Sequence, residues 1–171
     1  SDKTVLVLGC GKRGRLAVNQ LTNKGVRSVY VMNRTHEKAE ELMTQAVNVK
    51  AVGFWEMKEV LKETDVCICS AGAPHYLINL DLVESVMQDR SHKPLVFVDI
   101  SVPRNINPTV TQHKGVTLVT VDDLDKAVEV NLQRRQLSVS IVEEMIANKI
   151  KEFYLVLDKS LMYKNQQIIK Q

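Results

Sequence analysis

Three glycines, Gly9, Gly11 and Gly14, follow the apolar run Val5–Leu8 directly and open a segment of helical period. A G-x-G-x-x-G turn in that setting suits the pyrophosphate of a dinucleotide. The first glycine turns the chain sharply, the second lets backbone approach the phosphates, and the third lets helix and strand pack closely. The phosphates would lie over the helix N-terminus, where amide groups and the helix dipole favour negative charge. Lys12 and Arg13 stand at the mouth of the turn. Without its flanking strand and helix, the same spacing would be a turn kept for close packing.

The next chemically informative position is the end of the second apolar run. An acidic residue there would hold a ribose 2′-hydroxyl and repel a 2′-phosphate. The chain has Asn33, Arg34 and Thr35 instead, with Lys38 one turn later. A guanidinium and a hydroxyl suit the 2′-phosphate of NADP(H), and Arg34 can also lie flat on an adenine. Ser70-Ala71-Gly72-Ala73-Pro74 follows the fourth run, and its small side chains leave space on the ribose–nicotinamide side or simply form a turn. Asp99-Ile100-Ser101-Val102-Pro103-Arg104-Asn105 follows the fifth. In this loop Asp99, Ser101 and Val102 are candidate wall residues. Asp99 either borders the ligand or orders the loop backbone; Arg104 meets an anionic substrate or a partner domain, or is a surface arginine. His75, His92 and His113 sit singly in loops and carry no assigned chemistry, while His36 is placed to cap the helix after Asn33.

Cys10, Cys67 and Cys69 lack His or Cys partners at metal-binding spacing, and an odd number excludes a fully paired disulfide set. They read as buried, reduced thiols, and no metal site or catalytic residue is assigned. The composition, 44% hydrophobic and 25% charged with a net charge of +3, is that of an ordinary soluble domain. The charge is too small to nominate nucleic acid. No apolar run reaches the roughly 18 residues of a membrane helix. No secretory signal opens the chain, and starting on Ser1 reads as processing or excision.

These residues need a scaffold, and the apolar pattern supplies one. Runs at Val5–Leu8, Ser28–Met32, Val49–Val52, Asp65–Ser70, Leu95–Ile100 and Val116–Val121 alternate with helical segments at Gly11–Lys24, His36–Gln45, Trp55–Glu63 and Leu80–Asp89. Continuous apolar runs mark strands covered on both faces, and alternation with helices marks a parallel sheet with right-handed crossovers. The expected fold is an α/β, doubly wound parallel Rossmann sheet of about six strands, spanning residues 1–122. Every Gly and Pro lies at or before Gly115. Beyond it, residues 123–171 read as one long C-terminal helix, with Asp122 as N-cap, Asp125 three positions on, and an apolar stripe from Val139 through Val142, Ile146, Ile150, Phe153, Leu157 and Leu161 to Ile168. A helix on the order of 60–70 Å long outreaches one small domain, so it is expected to project and to self-associate through its stripe.

Gly9-x-Gly11-x-x-Gly14, Asn33-Arg34-Thr35-x-x-Lys38-Ala39, Asp99-Ile-Ser-Val-Pro-Arg-Asn-Ile106 and Val121-Asp122-Asp123-Leu124 together resemble the glutamyl-tRNA reductase family. The Asn-Arg-Thr piece is shared with shikimate dehydrogenases, whereas the Asp-Ile-Ser-Val-Pro-Arg loop is more particular to the tRNA reductases. The resemblance covers the family's NADPH-binding domain and the start of its spinal helix. It implies an enzyme of tetrapyrrole biosynthesis, in which a cysteine of a separate catalytic domain attacks glutamyl-tRNA and NADPH reduces the thioester to glutamate-1-semialdehyde. The chain offers no such nucleophile, so it is expected to bind cofactor without catalysing alone. The implied partners are NADPH, a catalytic domain with glutamyl-tRNA, and a second copy through the helix; the implied setting is cytoplasm, or plastid stroma in a plant. Two other readings stand beside it: a shikimate-dehydrogenase-like NADP domain, and a non-catalytic nucleotide-binding or assembly protein that uses its helix as a docking surface.

Overall fold

The computed structural model describes residues 2–44, 46–91 and 93–126, together with 128–129, 145–146 and 149. Ser1–Leu124 and Asp125–Gln171 are two compact units. The first runs β1 (Thr4–Leu8), α1 (Lys12–Asn23), β2 (Ser28–Met32), α2 (His36–Met43), β3 (Val49–Val52), α3 (Met57–Glu63), β4 (Val66–Cys69), α4 (Leu80–Met87), β5 (Leu95–Asp99) and β6 (Val116–Thr120). All six strands are parallel, in the order β3-β2-β1-β4-β5-β6. This is a Rossmann sheet. The chain reverses its direction of winding between β1 and β4, and a crevice opens there at the carboxyl ends of the strands.

Strand alternation sorts the core into two layers. Val5 and Val7 of β1 face α1 and α2, packing with Val18, Ala39 and Leu42. Leu6 and Leu8 face the opposite way, toward Leu61 of α3 and Val83, Val86 and Met87 of α4. Burial on both faces explains why β1 reads as an unbroken apolar run. Helix α1 ends in a Schellman motif: Gly25, at φ +66°, donates to the Thr22 carbonyl and Val26 donates to that of Leu21.

Every expected strand and helix of the sheet is present, with ends shifted by one or two residues. Two 3-10 turns were not anticipated. Phe54–Glu56 is closed by the Glu56 carboxylate accepting from Gly53 N–H at 2.7 Å. Pro108–Gln112 starts at Asn107, whose side chain accepts from Thr109 N–H. The anticipated cap at Asp122 is corrected. Residues 121–126 are helical, and it is Asp123 that accepts from the Thr120 amide and hydroxyl, at 2.9 and 2.7 Å. Asp122 is thereby free to pair with Arg104. Of the residues expected to form a long C-terminal helix, 125–126, 128–129, 145–146 and 149 are described, and all are helical. Apart from Ile146, the apolar stripe lies outside the described residues.

Candidate functional site

The crevice at the β1/β4 switch is an open cleft of about 470 Å³, within the range of small-molecule and cofactor sites. Three short segments form most of its lining: Gly9, Cys10 and Gly11 after β1; Asn33, Arg34, Thr35 and Lys38 after β2; and Ser70–Pro74 with His75 and Leu77 after β4. Phe54, just past β3, completes it. Residues 61 positions apart in sequence, Gly9 and Ser70, are brought into hydrogen-bond contact because β1 and β4 are neighbours.

The glycine turn is built by close approach. Gly9 adopts φ +97°, and a Cβ there would lie 2.8–2.9 Å from the backbone of Ser70 and Ala71. A Cβ on Gly14 would fall 1.9 Å from the Gly9 carbonyl oxygen. Gly11 is different: at φ −69° it could carry a side chain, and a Cβ would meet nothing within 4 Å. It faces the open cleft. Gly11 is also the N-cap of α1, with no side-chain cap and no acidic residue in the first turn. The first amides of α1 therefore have no intrahelical acceptor and no carboxylate competing for them. An exposed phosphate-sized space beside free amides is what a dinucleotide pyrophosphate needs, so the residues present fit that group.

Side chains around the turn hold it rather than reach into it. Asn33 Oδ1 accepts from Cys10 N–H at 3.2 Å while its Nδ2 donates to the Thr35 carbonyl at 2.8 Å, tying the β1 and β2 loops together. The Ser70 hydroxyl donates to the Leu8 and Gly9 carbonyls. Arg15 donates to the Cys10 carbonyl and pairs with Glu41 of α2 at 2.6 Å. Arg13 reaches the other way, donating to the Ile100 carbonyl at 2.9 Å. By contrast, Arg34 and Lys38 are exposed. No hydrogen bond or ion pair among the described residues engages either side chain, so both cations are available to an anion in the cleft.

The loop after β5 stands behind this cleft. Asp99 is buried, and its carboxylate accepts from the amides of Ser101, Asn105 and Ile106 at 2.9–3.0 Å. Of the two roles open to Asp99, ordering the loop is the one its geometry performs. Asn105 extends the tie: its Nδ2 donates to the Ala73 and His75 carbonyls, and its own carbonyl accepts from Leu77 and Ile78. The β4 and β5 loops are thereby one wall. Ser101 is buried beside Cys69, and Val102 is exposed. Gly14, Lys12, Arg13, Asp99, Ser101 and Val102 do not line the cleft itself. Arg104, read as meeting an anionic substrate or a partner domain or as a surface arginine, is paired with Asp122 at 2.6 Å. His36 is the first residue of α2 and not its cap; its ring stacks loosely with Trp55 at 6.4 Å.

Sequence reasoning missed Phe54, His75, Arg15 and Asn105. Ligands of such sheets gather at strand carboxyl ends, and Phe54 lies two residues past β3, a signal that was present. Asn105 carried none, because a neutral amide gives no hint of which distant carbonyls it will meet.

All three thiols are free and buried. Burial pushes Cys10 up to about 11, partly offset by the Arg15 guanidinium, and pushes Cys69 up to about 11 as well; complete burial also raises Cys67 well above its ordinary value. None is an activated nucleophile at neutral pH. Unfolded thiols release their protons first, from an ordinary value of 9.0. The stabilisation from keeping them protonated is therefore whole below pH 9 and drains away toward pH 11. The urea midpoint is expected to fall across that window, and to fall less steeply in Cys69→Ala.

No helix among the described residues is long and apolar enough to cross a membrane. Residues 1–127 match the Shikimate / quinate 5-dehydrogenase family. The glutamyl-tRNA reductase of Citrifermentans bemidjiense is 41% identical over 154 residues, 90% of this chain and 35% of that protein. That of Thermodesulfovibrio yellowstonii is 42% identical over 148 residues, 84% of this chain and 34% of that protein. Among solved structures, the glutamyl-tRNA reductase from Methanopyrus kandleri superposes with a TM-score of 0.77 at 35% identity, over 92% of this chain and 40% of its own. The chain thus spans about a third of the length of the curated relatives it matches, and the resemblance read from the four motifs is matched by relatives of that name.

Proposed function

Because the chain belongs to the Shikimate / quinate 5-dehydrogenase family, we propose that it is the NADP(H)-binding module of a glutamyl-tRNA reductase. The observation that carries this reading is the pairing of two unengaged cations, Arg34 and Lys38, with the open amide cradle at Gly11 along one cleft. Relatives that are glutamyl-tRNA reductases at about 40% identity support the choice of enzyme. NADPH, when bound, supplies the hydride that reduces the activated glutamyl carbonyl to glutamate-1-semialdehyde. The chain's own residues bind and orient the cofactor.

Gly9, Gly11 and Gly14 shape the pyrophosphate turn, and Lys12 and Arg13 add positive charge at its rim. Arg34, Thr35 and Lys38 receive the 2′-phosphate, with Asn33 holding both loops in place. Ser70, Ala71 and Gly72 border the ribose–nicotinamide side. Asp99, Ser101 and Val102 belong to the wall behind it, which faces the catalytic domain of the whole enzyme. With its thiols buried and protonated, the module binds cofactor without turning substrate over by itself. Residues 123–171 are proposed as the start of a spinal helix through which copies associate, in a cytoplasmic protein or one of the plastid stroma.

Titration with NADPH and NADH tests the reading: micromolar NADPH binding with much weaker NADH supports it, and binding of neither refutes it. Arg34→Ala is expected to cost about 1–3 kcal/mol of NADPH affinity, the scale of a charge-assisted hydrogen bond, and to leave NADH nearly unchanged. Equal losses for both cofactors would remove Arg34 from the 2′-phosphate site.

A further inference from the structure

We infer that His75 is the polar contact for the nicotinamide half of the cofactor. The inference rests on the dinucleotide reading above and concerns the end of the cleft that Arg34 and Lys38 do not reach. With the pyrophosphate at Gly11 and the adenosine phosphate at Arg34, the nicotinamide falls along the loop after β4. The ionisable side chains lining the cleft are Cys10, Arg34, Lys38 and His75. Cys10 is a buried, protonated thiol and the two cations belong to the other end. Ser70, the remaining hydroxyl on this loop, is spent on the carbonyls of Leu8 and Gly9. His75 alone is left to offer a polar side chain to the ring.

Its backbone is held in advance. Asn105 Nδ2 donates to the His75 carbonyl at 3.0 Å and to that of Ala73 at 2.7 Å, and Leu77 N–H donates back to the Asn105 carbonyl at 2.7 Å. No hydrogen bond or ion pair among the described residues engages the imidazole of this exposed, cleft-lining residue. A side chain carried on a rigid loop and given no structural work is free for a ligand. The dihydronicotinamide ring is neutral and the oxidised ring is a cation. Charge placed at position 75 therefore acts on one form and spares the other.

The test measures dissociation constants of NADPH, NADP⁺ and adenosine 2′,5′-bisphosphate for the chain and three variants. His75→Ala is expected to weaken NADPH roughly fivefold, the scale of one hydrogen bond, and to leave the bisphosphate unchanged. His75→Lys should weaken NADP⁺ several-fold more than NADPH, and His75→Glu should do the reverse. If the bisphosphate binds normally and no variant alters NADPH or NADP⁺, His75 does not touch the nicotinamide half. If His75→Ala weakens the bisphosphate as much as NADPH, the residue serves the fold of the cleft instead. Failure of the unaltered chain to bind the bisphosphate overturns the dinucleotide reading itself, and this one with it.

Discussion

Replacing Gly11 by alanine is expected to leave the chain folded and to cost it about two orders of magnitude in NADPH affinity. The two halves of this result come from different observations. Gly11 sits at φ −69°, where alanine is at ease, and a Cβ there meets nothing within 4 Å. Alanine is the poorer N-cap by up to about 1 kcal/mol, but it also lowers the entropy of the unfolded chain by a comparable amount. Stability therefore stays nearly level. The added methyl group stands where the pyrophosphate must approach the backbone, and losing that contact removes roughly 2–3 kcal/mol of binding. Gly14→Ala supplies the contrast. Its Cβ would lie 1.9 Å from the Gly9 carbonyl oxygen, so the turn must shift and the fold loses about 1–3 kcal/mol. Thermal melts and isothermal titration on the two variants read both effects. A Gly11→Ala chain that binds NADPH normally would place the phosphates elsewhere.

The second large effect is expected at Asp99. Its carboxylate accepts three amides in a site where the residue is only 1% exposed. Truncation to alanine strands those amides, and each unpaired buried donor costs about 1–3 kcal/mol. Some water will enter the space left behind, so the loss at Asp99→Ala is expected near 3–5 kcal/mol, a large share of the stability of an ordinary domain. Asp99→Asn retains one acceptor oxygen and should lose about half as much. Urea unfolding monitored by circular dichroism gives both values. A loss below about 1 kcal/mol for the alanine variant would mean that the loop is held by something other than this carboxylate.

The layered sheet was legible because its physics is local and repetitive. Val5–Leu8 reads as a continuous apolar run since both faces of β1 are covered, and the glycine spacing located the crevice at its carboxyl end. The 3-10 turn at Pro108 was signalled by Asn107 before it, an N-cap followed by a proline, and was passed over because the turn is short. Other features had no sequence signal. Arg104 reads as a free cation until the fold sets Asp122 beside it, 18 positions away. Asp99 leaves two roles open in the sequence, bordering a ligand or ordering its loop, until the loop curls back and offers three amides. Asn33 belongs to a motif for phosphate recognition, yet its amide is occupied by Cys10 and Thr35. In each case a polar side chain had two possible partners, a ligand or the chain, and only tertiary geometry decides between them.

The cross-tie at Asn105 bears on how quickly a ligand is captured. Since the loops after β4 and β5 are already fastened to each other, an arriving molecule does not have to wait for a flap to settle or surrender affinity to order one. Encounter can then proceed at the pace of diffusion and orientation, and differences in tightness among nucleotides will be expressed in how long each remains.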